Sequence, residues 1–222
     1  MFCAGLDFNV PLTLSADRND YREPAAKVAL ALYRCTKPVV AAINGSAIGV
    51  GITMTLPANI RVVSRDAKVG FVFSRRGFSM EACSSFFLPR LVGSGRALHL
   101  TTTGSVYPAT HRIFDGLFSD VVDPDEVLPT AIRYADEISG NVSGLSARVM
   151  KDMIYRNVGS PEETHLLESK IFYDLLKGRD SEEGVQSFMQ KRKPDFKATM
   201  EKDAPSAWPW WTPVDVKIKE KL

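Results

Sequence analysis

Cysteine is scarce in this chain. Three residues in 222, Cys3, Cys35 and Cys83, stand far apart with no Cys-x-x-Cys pair. An odd, scattered set argues against a disulfide framework and fits a reducing compartment. Histidine is as sparse: His99, His111 and His165 fall in helical patterns without metal-ligand spacing, so they read as structural or surface residues and no metal is expected. Charge of one sign is lacking too. A net charge of +2 is too small to make nucleic acid a general partner, and no apolar run approaches the roughly 18 residues of a membrane span. Asp7 interrupts the opening and no basic segment precedes it, so a secretory leader is not expected. Internal repeats and low-complexity tracts are missing as well. What is left is an ordinary globular composition, 45% hydrophobic and 24% charged, in a length that suits one domain with at most a small appendage.

The chain is organised around residues 37–53, K-P-V-V-A-A-I-N-G-S-A-I-G-V-G-I-T. Five apolar residues follow Pro38 and end at Asn44-Gly45, a short buried strand closed by a tight turn. After it, Gly49 and Gly51 thin the opening turn of a buried helix, so that a ligand can approach main-chain N–H groups. Residues 2–7, F-C-A-G-L-D, share this design of small residues, glycine and a turn. Two such turns whose N–H groups converge make a two-donor oxyanion hole. Glycines that merely permit tight strand-to-helix packing are the other reading. Asp7 is expected to bond its neighbours' N–H groups in the turn.

Residues 9–20 read as a surface loop, and Pro24 at a first helical position opens a helix over 25–33. Runs at 60–63 and 69–73 read as strands split by Ser64-Arg65-Asp66. A loop with Arg75 and Arg76 leads to a helix over 80–88, with Glu81 in its first turn and Pro89 bending or ending it. Helical patterns at 94–102 and 108–114 and a strand at 118–122 follow. From Pro124 the pattern is helical alone: 125–139, 145–155, 161–176 and 182–193. Ser160-Pro161-Glu162-Glu163 is a capping box with proline at N1. A helical tail of this kind needs a surface to cover, often that of another subunit. Residues 205–213 carry Trp208, Trp210 and Trp211, an irregular segment expected to dock by its indoles.

These blocks resemble the crotonase superfamily, the enoyl-CoA hydratases and isomerases. Phe2-Cys3-Ala4-Gly5-Leu6-Asp7 matches the family's F-[CS]-[AS]-G-x-D turn, and residues 37–51 match K-P-x-[IV]-A-A-[IV]-N-G-x-A-x-G-x-G. Thr103-Gly104, Gly116-Leu117 and Val121-Val122 match further blocks. So do Gly184-Val185, Phe188, Lys191-Arg192-Lys193 and Phe196. The resemblance implies an α/β fold: a crotonase-like ββα spiral core, its N-terminal turns absent, with a C-terminal α-helical region. The core would span 1–124, a helical trimerisation region 125–196 and a Trp/Pro-rich tail 197–222. A homo-oligomer, a trimer or dimer of trimers, is implied with it.

By the same resemblance the backbone N–H groups of Leu6 and Val50 would hold the thioester oxygen of an acyl-CoA, which is a substrate, with no cofactor needed. Family hydratases use two carboxyl groups to add water. At those two positions this chain has Thr53 and Phe73, neither of which can take a proton. Glu81-Ala82-Cys83-Ser84-Ser85 is instead similar to the peroxisomal-type Δ3,Δ2-enoyl-CoA isomerases, whose glutamate is the base. One carboxylate suffices for that reaction, and the role is carried onto Glu81. Phe71, Phe73 and Phe78 would suit an apolar acyl channel, and Phe188 and Lys191 would meet the CoA of a neighbouring subunit. A helix-stabilising Glu81 and a solvated basic face at Lys191 are the alternative readings of those residues. At the level of function the alternatives are a catalytically silent crotonase-fold subunit and an enoyl-CoA hydratase. Glu220-Lys221-Leu222 shares its last two residues with the S-K-L address, which implies a peroxisomal location, with cytoplasm or mitochondrial matrix otherwise.

Overall fold

The computed structural model describes residues 1–10 and 17–216. Glu220-Lys221-Leu222, on which the peroxisomal expectation rests, lies outside them, as does part of the 9–20 loop. The chain divides into two compact units, one of Met1–Cys35 with Val39–Tyr134, the other of Thr36–Pro38 with Ala135–Val216.

The first unit is α/β. Its strands are β1 (Val40–Ile43), β2 (Ala47–Ile48), β3 (Ile60–Ser64), β4 (Lys68–Gly70), β5 (Val106–Pro108) and β6 (Asp120–Val122), with helices α1 (Ala25–Arg34), α2 (Val50–Thr53), α3 (Ser84–Val92) and α4 (Ser94–Thr103) between them. Among the described residues these strands form two sheets, β1-β3-β6 and β2-β4-β5. The first sheet is parallel, with Val40 opposite Ile60 and Val63 opposite Val121. A parallel sheet is covered on both faces. Accordingly Val62 and Val63, which point to opposite faces, are both fully buried. Val62 packs on Val127 and Ala131 of α5 (Val127–Asn141). Arg61 is also buried, its charge answered by main-chain carbonyls: Nε donates to Leu117 O at 2.7 Å and Nη1 to Leu56 O at 3.1 Å and Ala58 O at 2.5 Å. That guanidinium ties the turn after α2 to the segment before β6.

Three sequence expectations change here. The strand expected over 69–73 stops at Gly70, and Val72–Arg76 is a 3-10 turn. The partner strand β5 pairs only with Lys68, Val69 and Gly70, so nothing extends the ladder past them. The helix expected over 80–88 starts at Ser84 and runs through Pro89 to Val92. Pro89 leaves the Ser85 carbonyl without its helical donor, and Ser85 is exposed to water,. Glu81 therefore lies ahead of the helix, not in its first turn. The 108–114 helix shrinks to a 3-10 turn at Arg112–Phe114, capped by His111 Nδ1, which accepts the Ile113 N–H at 3.1 Å.

The second unit holds α6 (Gly144–Tyr155), α7 (Pro161–Leu176), α8 (Arg179–Met189) and α9 (Met200–Asp203) around Leu145, Val149 and Ile171. The capping box closes as read: Ser160 Oγ accepts the Glu163 N–H at 3.1 Å. The indoles dock the tail, with Trp208 Nε1 donating to Asp152 Oδ2 at 3.0 Å and Trp210 Nε1 to Arg156 O at 2.9 Å. After α8, Arg192 grips Glu183 at 2.5 and 2.8 Å and the Asp195 N–H adds a bond at 2.7 Å. Together they hold the Glu183 carboxyl down to about 2.

Candidate active site

The two glycine turns meet through their backbones. The Phe2 and Cys3 N–H groups both donate to Ser46 O, at 3.0 and 3.1 Å, and the Ile48 N–H donates to Cys3 O at 3.0 Å. A Cβ at Gly51 would lie 2.5 Å from Cys3 O, so only glycine lets the turns approach this closely,. Gly49, at φ +56°, bends the chain into α2 while its N–H donates to Gly70 O at 2.9 Å. The two N–H groups singled out from sequence, those of Leu6 and Val50, lie one in each turn. Neither Leu6 nor Val50, the first residue of α2, finds an acceptor for its N–H among the described residues.

Glu81 reaches this turn from the far side. Its Oε1 accepts a short hydrogen bond from the Thr53 hydroxyl at the end of α2. Its Oε2 is buried with no hydrogen-bond partner among the described residues. A buried carboxylate oxygen left unsatisfied costs about 1–3 kcal/mol or more, and such a group calls for an explanation. Burial pushes the Glu81 carboxyl above the usual 4.5. The Thr53 hydrogen bond pulls it back, and the charge of Glu23 acts in the same direction as burial.

Thr53 serves both protonation states of its neighbour. Its hydroxyl has one proton and two acceptors, Glu81 and Gly49 O at 3.3 Å. With Glu81 ionised the proton goes to the carboxylate. With Glu81 protonated, the acid can donate to Thr53 while Thr53 donates to the Gly49 carbonyl.

The aromatic residues divide. Phe71 is fully buried, Phe73 places Cε1 about 3.9 Å from where a Gly49 Cβ would be, and Phe78 is 46% exposed and stacks on Phe8 with centroids 6.0 Å apart. Phe188 and Lys191 belong to the second unit, where both are exposed. Asp7 acts as a turn residue, its Oδ1 accepting the Asn9 N–H at 2.9 Å. His99 bonds the Tyr107 hydroxyl at 2.8 Å, and no cluster of metal-ligating side chains occurs among the described residues.

The sequence profile described as "Enoyl-CoA hydratase/isomerase" matches residues 1–199. This chain belongs to the enoyl-CoA hydratase/isomerase family. It is 48% identical over 201 residues to the enoyl-CoA hydratase ACTT3 of Alternaria alternata, covering 90% of this chain and 68% of that protein. It is 32% identical over 213 residues to the 1,2-epoxyphenylacetyl-CoA isomerase of Escherichia coli, covering 88% and 76%. Among solved structures, Pseudomonas aeruginosa DspI superposes with a TM-score of 0.77 at 30% identity, covering 88% of this chain and 75% of that one. As a family member, the chain has the α/β core and the helical C-terminal region that its motifs implied.

Two residues of this site carried no signal in the sequence. Thr53 was noticed only as a carboxylate that is missing, although its hydroxyl holds Glu81. Glu23 drew no attention at all, yet its Oε1 accepts the Ala82 N–H at 2.6 Å.

Proposed function

We propose that this family member moves the double bond of a 3-enoyl-CoA to C2, with Glu81 as the single proton shuttle. The observation that carries this reading is the pairing of one buried, unsatisfied carboxylate oxygen on Glu81 with a hydroxyl, Thr53, where a second acid would stand. The Leu6 and Val50 N–H groups would bind the thioester oxygen. Glu81 would take a proton from C2, the negative charge would spread over the dienolate held at those amides, and the acid so formed would return the proton to C4. A positioned base supplies about 10²–10⁴-fold and each oxyanion donor about 10²–10³-fold. The Phe71, Phe73 and Phe78 rings would flank the acyl chain.

A second reading, hydration of a 2-enoyl-CoA, is favoured by the hydratase name of the Alternaria relative. It needs a second proton-handling group; the Glu23 carboxylate, whose charge acts on Glu81, has its Oε1 bonded to the Ala82 N–H. Offering the chain a short 3-enoyl-CoA and a short 2-enoyl-CoA separates the two. Isomerisation yields the conjugated thioester without change of mass. Hydration adds one water, and hydration alone would replace the isomerase reading.

Assembly into a homo-oligomer belongs to the same proposal. Val185, Phe188 and Met189 on α8 are 61%, 81% and 75% exposed, an apolar stripe at helical spacing that a partner subunit would cover. There Phe188 and Lys191 would reach the CoA of the neighbour. Phe188→Ser with Met189→Ser is expected to turn a trimer into monomers in sedimentation velocity. An unchanged mass would remove this face from the interface.

A further inference from the structure

Glu81 stands on an unusual piece of backbone. Ala82 and Cys83, the two residues after it, both have left-handed conformations, φ +54° and +56°. Neither is glycine. Non-glycine residues in this region are strained and persist only where the surroundings hold them. Ala82 is fully buried, so its N–H has no access to water and must find an acceptor in the protein. The acceptor comes from 59 residues away: Glu23 Oε1, at 2.6 Å. On the other side, the Ser84 hydroxyl and N–H both donate to Glu81 O, at 2.6 and 2.9 Å. The turn is thus held at both ends, by Glu23 at Ala82 and by Ser84 at Glu81.

We propose that Glu23 is a positioning residue for the reaction: its carboxylate, anchored just ahead of α1, clamps the left-handed turn at Ala82 and Cys83 and so aims the Glu81 side chain at Thr53 and the substrate. The inference rests on Glu81 being the base. It asks nothing of Glu23 at the reacting atoms. A charged acceptor makes this clamp stronger than an amide oxygen would, since hydrogen bonds to ionised groups are roughly twice as strong as neutral ones. The negative charge also acts on Glu81 through space. The ionisable groups bearing on this turn are Glu23, Glu81 and Cys83, with Arg34 of α1 opposing the first two at Cys83. Burial and both glutamates push the Cys83 thiol up, so it stays neutral and adds no charge beside Glu81.

Two variants separate the clamp from the charge. Glu23→Gln keeps an oxygen for the Ala82 N–H and removes the charge. Its turnover should stay within about threefold of the wild type, and the acid limb of its kcat/KM profile should move to lower pH, because a neighbouring negative charge has gone. Glu23→Ala removes the acceptor, and a misplacement of about 1 Å can cost about 10²-fold. We expect kcat to fall by about that factor with KM little changed, and hydrogen exchange at the Ala82 amide to accelerate strongly in Glu23→Ala and much less in Glu23→Gln. The exchange measurement needs no substrate, and Glu23→Gln reports even if Glu23→Ala does not fold. A Glu23→Ala chain with wild-type turnover and wild-type Ala82 protection overturns the proposal. So does a Glu23→Gln chain as slow as Glu23→Ala with an unmoved acid limb, which would put the carboxylate itself in the chemistry. If turnover survives Glu81→Gln instead, the base assignment is what fails, and the Ala82 exchange still shows whether the clamp exists.

Discussion

Glu81→Gln should lower turnover of a 3-enoyl-CoA by about 10²–10⁴-fold, the contribution of a positioned base, and at the same time raise the melting temperature at neutral pH. The loss follows from chemistry: the amide keeps the shape and an oxygen for the Thr53 hydroxyl but cannot carry a proton between C2 and C4. The gain follows from linkage. Burial raises the folded-state value of Glu81 above the ordinary 4.5, so between those two values the folded chain binds more protons than the unfolded chain. Its stability therefore declines as pH rises through that window, the full penalty standing above the folded value and none below 4.5. Glutamine has no charge to bury and should abolish that slope. Two measurements check this: single-turnover rates with the substrate, and thermal melts of both chains from pH 4 to pH 8. Equal rates would exclude Glu81 from catalysis. A glutamine variant that melts lower than the wild type at neutral pH, though not at pH 4, would contradict the burial of an uncompensated carboxylate. The same opposition of stability and activity is the usual mark of a residue kept for function.

Asp152→Ala should cost the second unit about 3–5 kcal/mol, the usual penalty for breaking a buried ion pair by removing one partner. Asp152 is wholly buried. Its Oδ2 takes the Arg148 Nε–H at 2.9 Å and the Trp208 indole N–H at 3.0 Å, and the Arg156 guanidinium lies 3.5 Å from Oδ1. One carboxylate thus offsets the charge of Arg148, itself buried, and pins the tail segment that carries the indoles. Without it the buried Arg148 would lose the acceptor of its Nε–H. Asp152→Asn retains an acceptor for Trp208 and should cost less. The three tryptophans of the chain, Trp208, Trp210 and Trp211, all lie in this one unit. Denaturant titration followed by indole fluorescence therefore reports from this unit. A midpoint shift worth less than about 1 kcal/mol would show that the pair is not needed, as happens for exposed ion pairs.

Parts of this protein were legible before any coordinates. The apolar run after Pro38 became β1 and Ser160 caps its helix, while Gly51 answers to the packing reading, since a Cβ there would strike the Cys3 carbonyl. Motif blocks spread from Phe2 to Phe196 identified the family, and with it the α/β core and helical end. Each of these is encoded within a few residues, or in a pattern repeated through relatives, and so can be read along the chain. Residues 71–73 were misread because strand propensity is local while a ladder needs a neighbour, and β5 pairs no further than Gly70. Glu81 was misread as the opening of a helix because residues 80–88 carry a helical period. The two left-handed residues after it delay the helix to Ser84, a backbone choice that no periodicity records.

Sequence alone placed the chain in its family and singled out Glu81 and the two glycine turns as candidates for its chemistry. Only the tertiary structure decided that Thr53 bonds the Glu81 carboxylate and Glu23 the N–H of the next residue, Ala82, across separations of 28 and 59 residues. Local pattern is set by the 2.0 and 3.6 residue repeats of strand and helix. A hydrogen bond between distant segments depends on how packed elements bring them together, and no repeat along the chain encodes that.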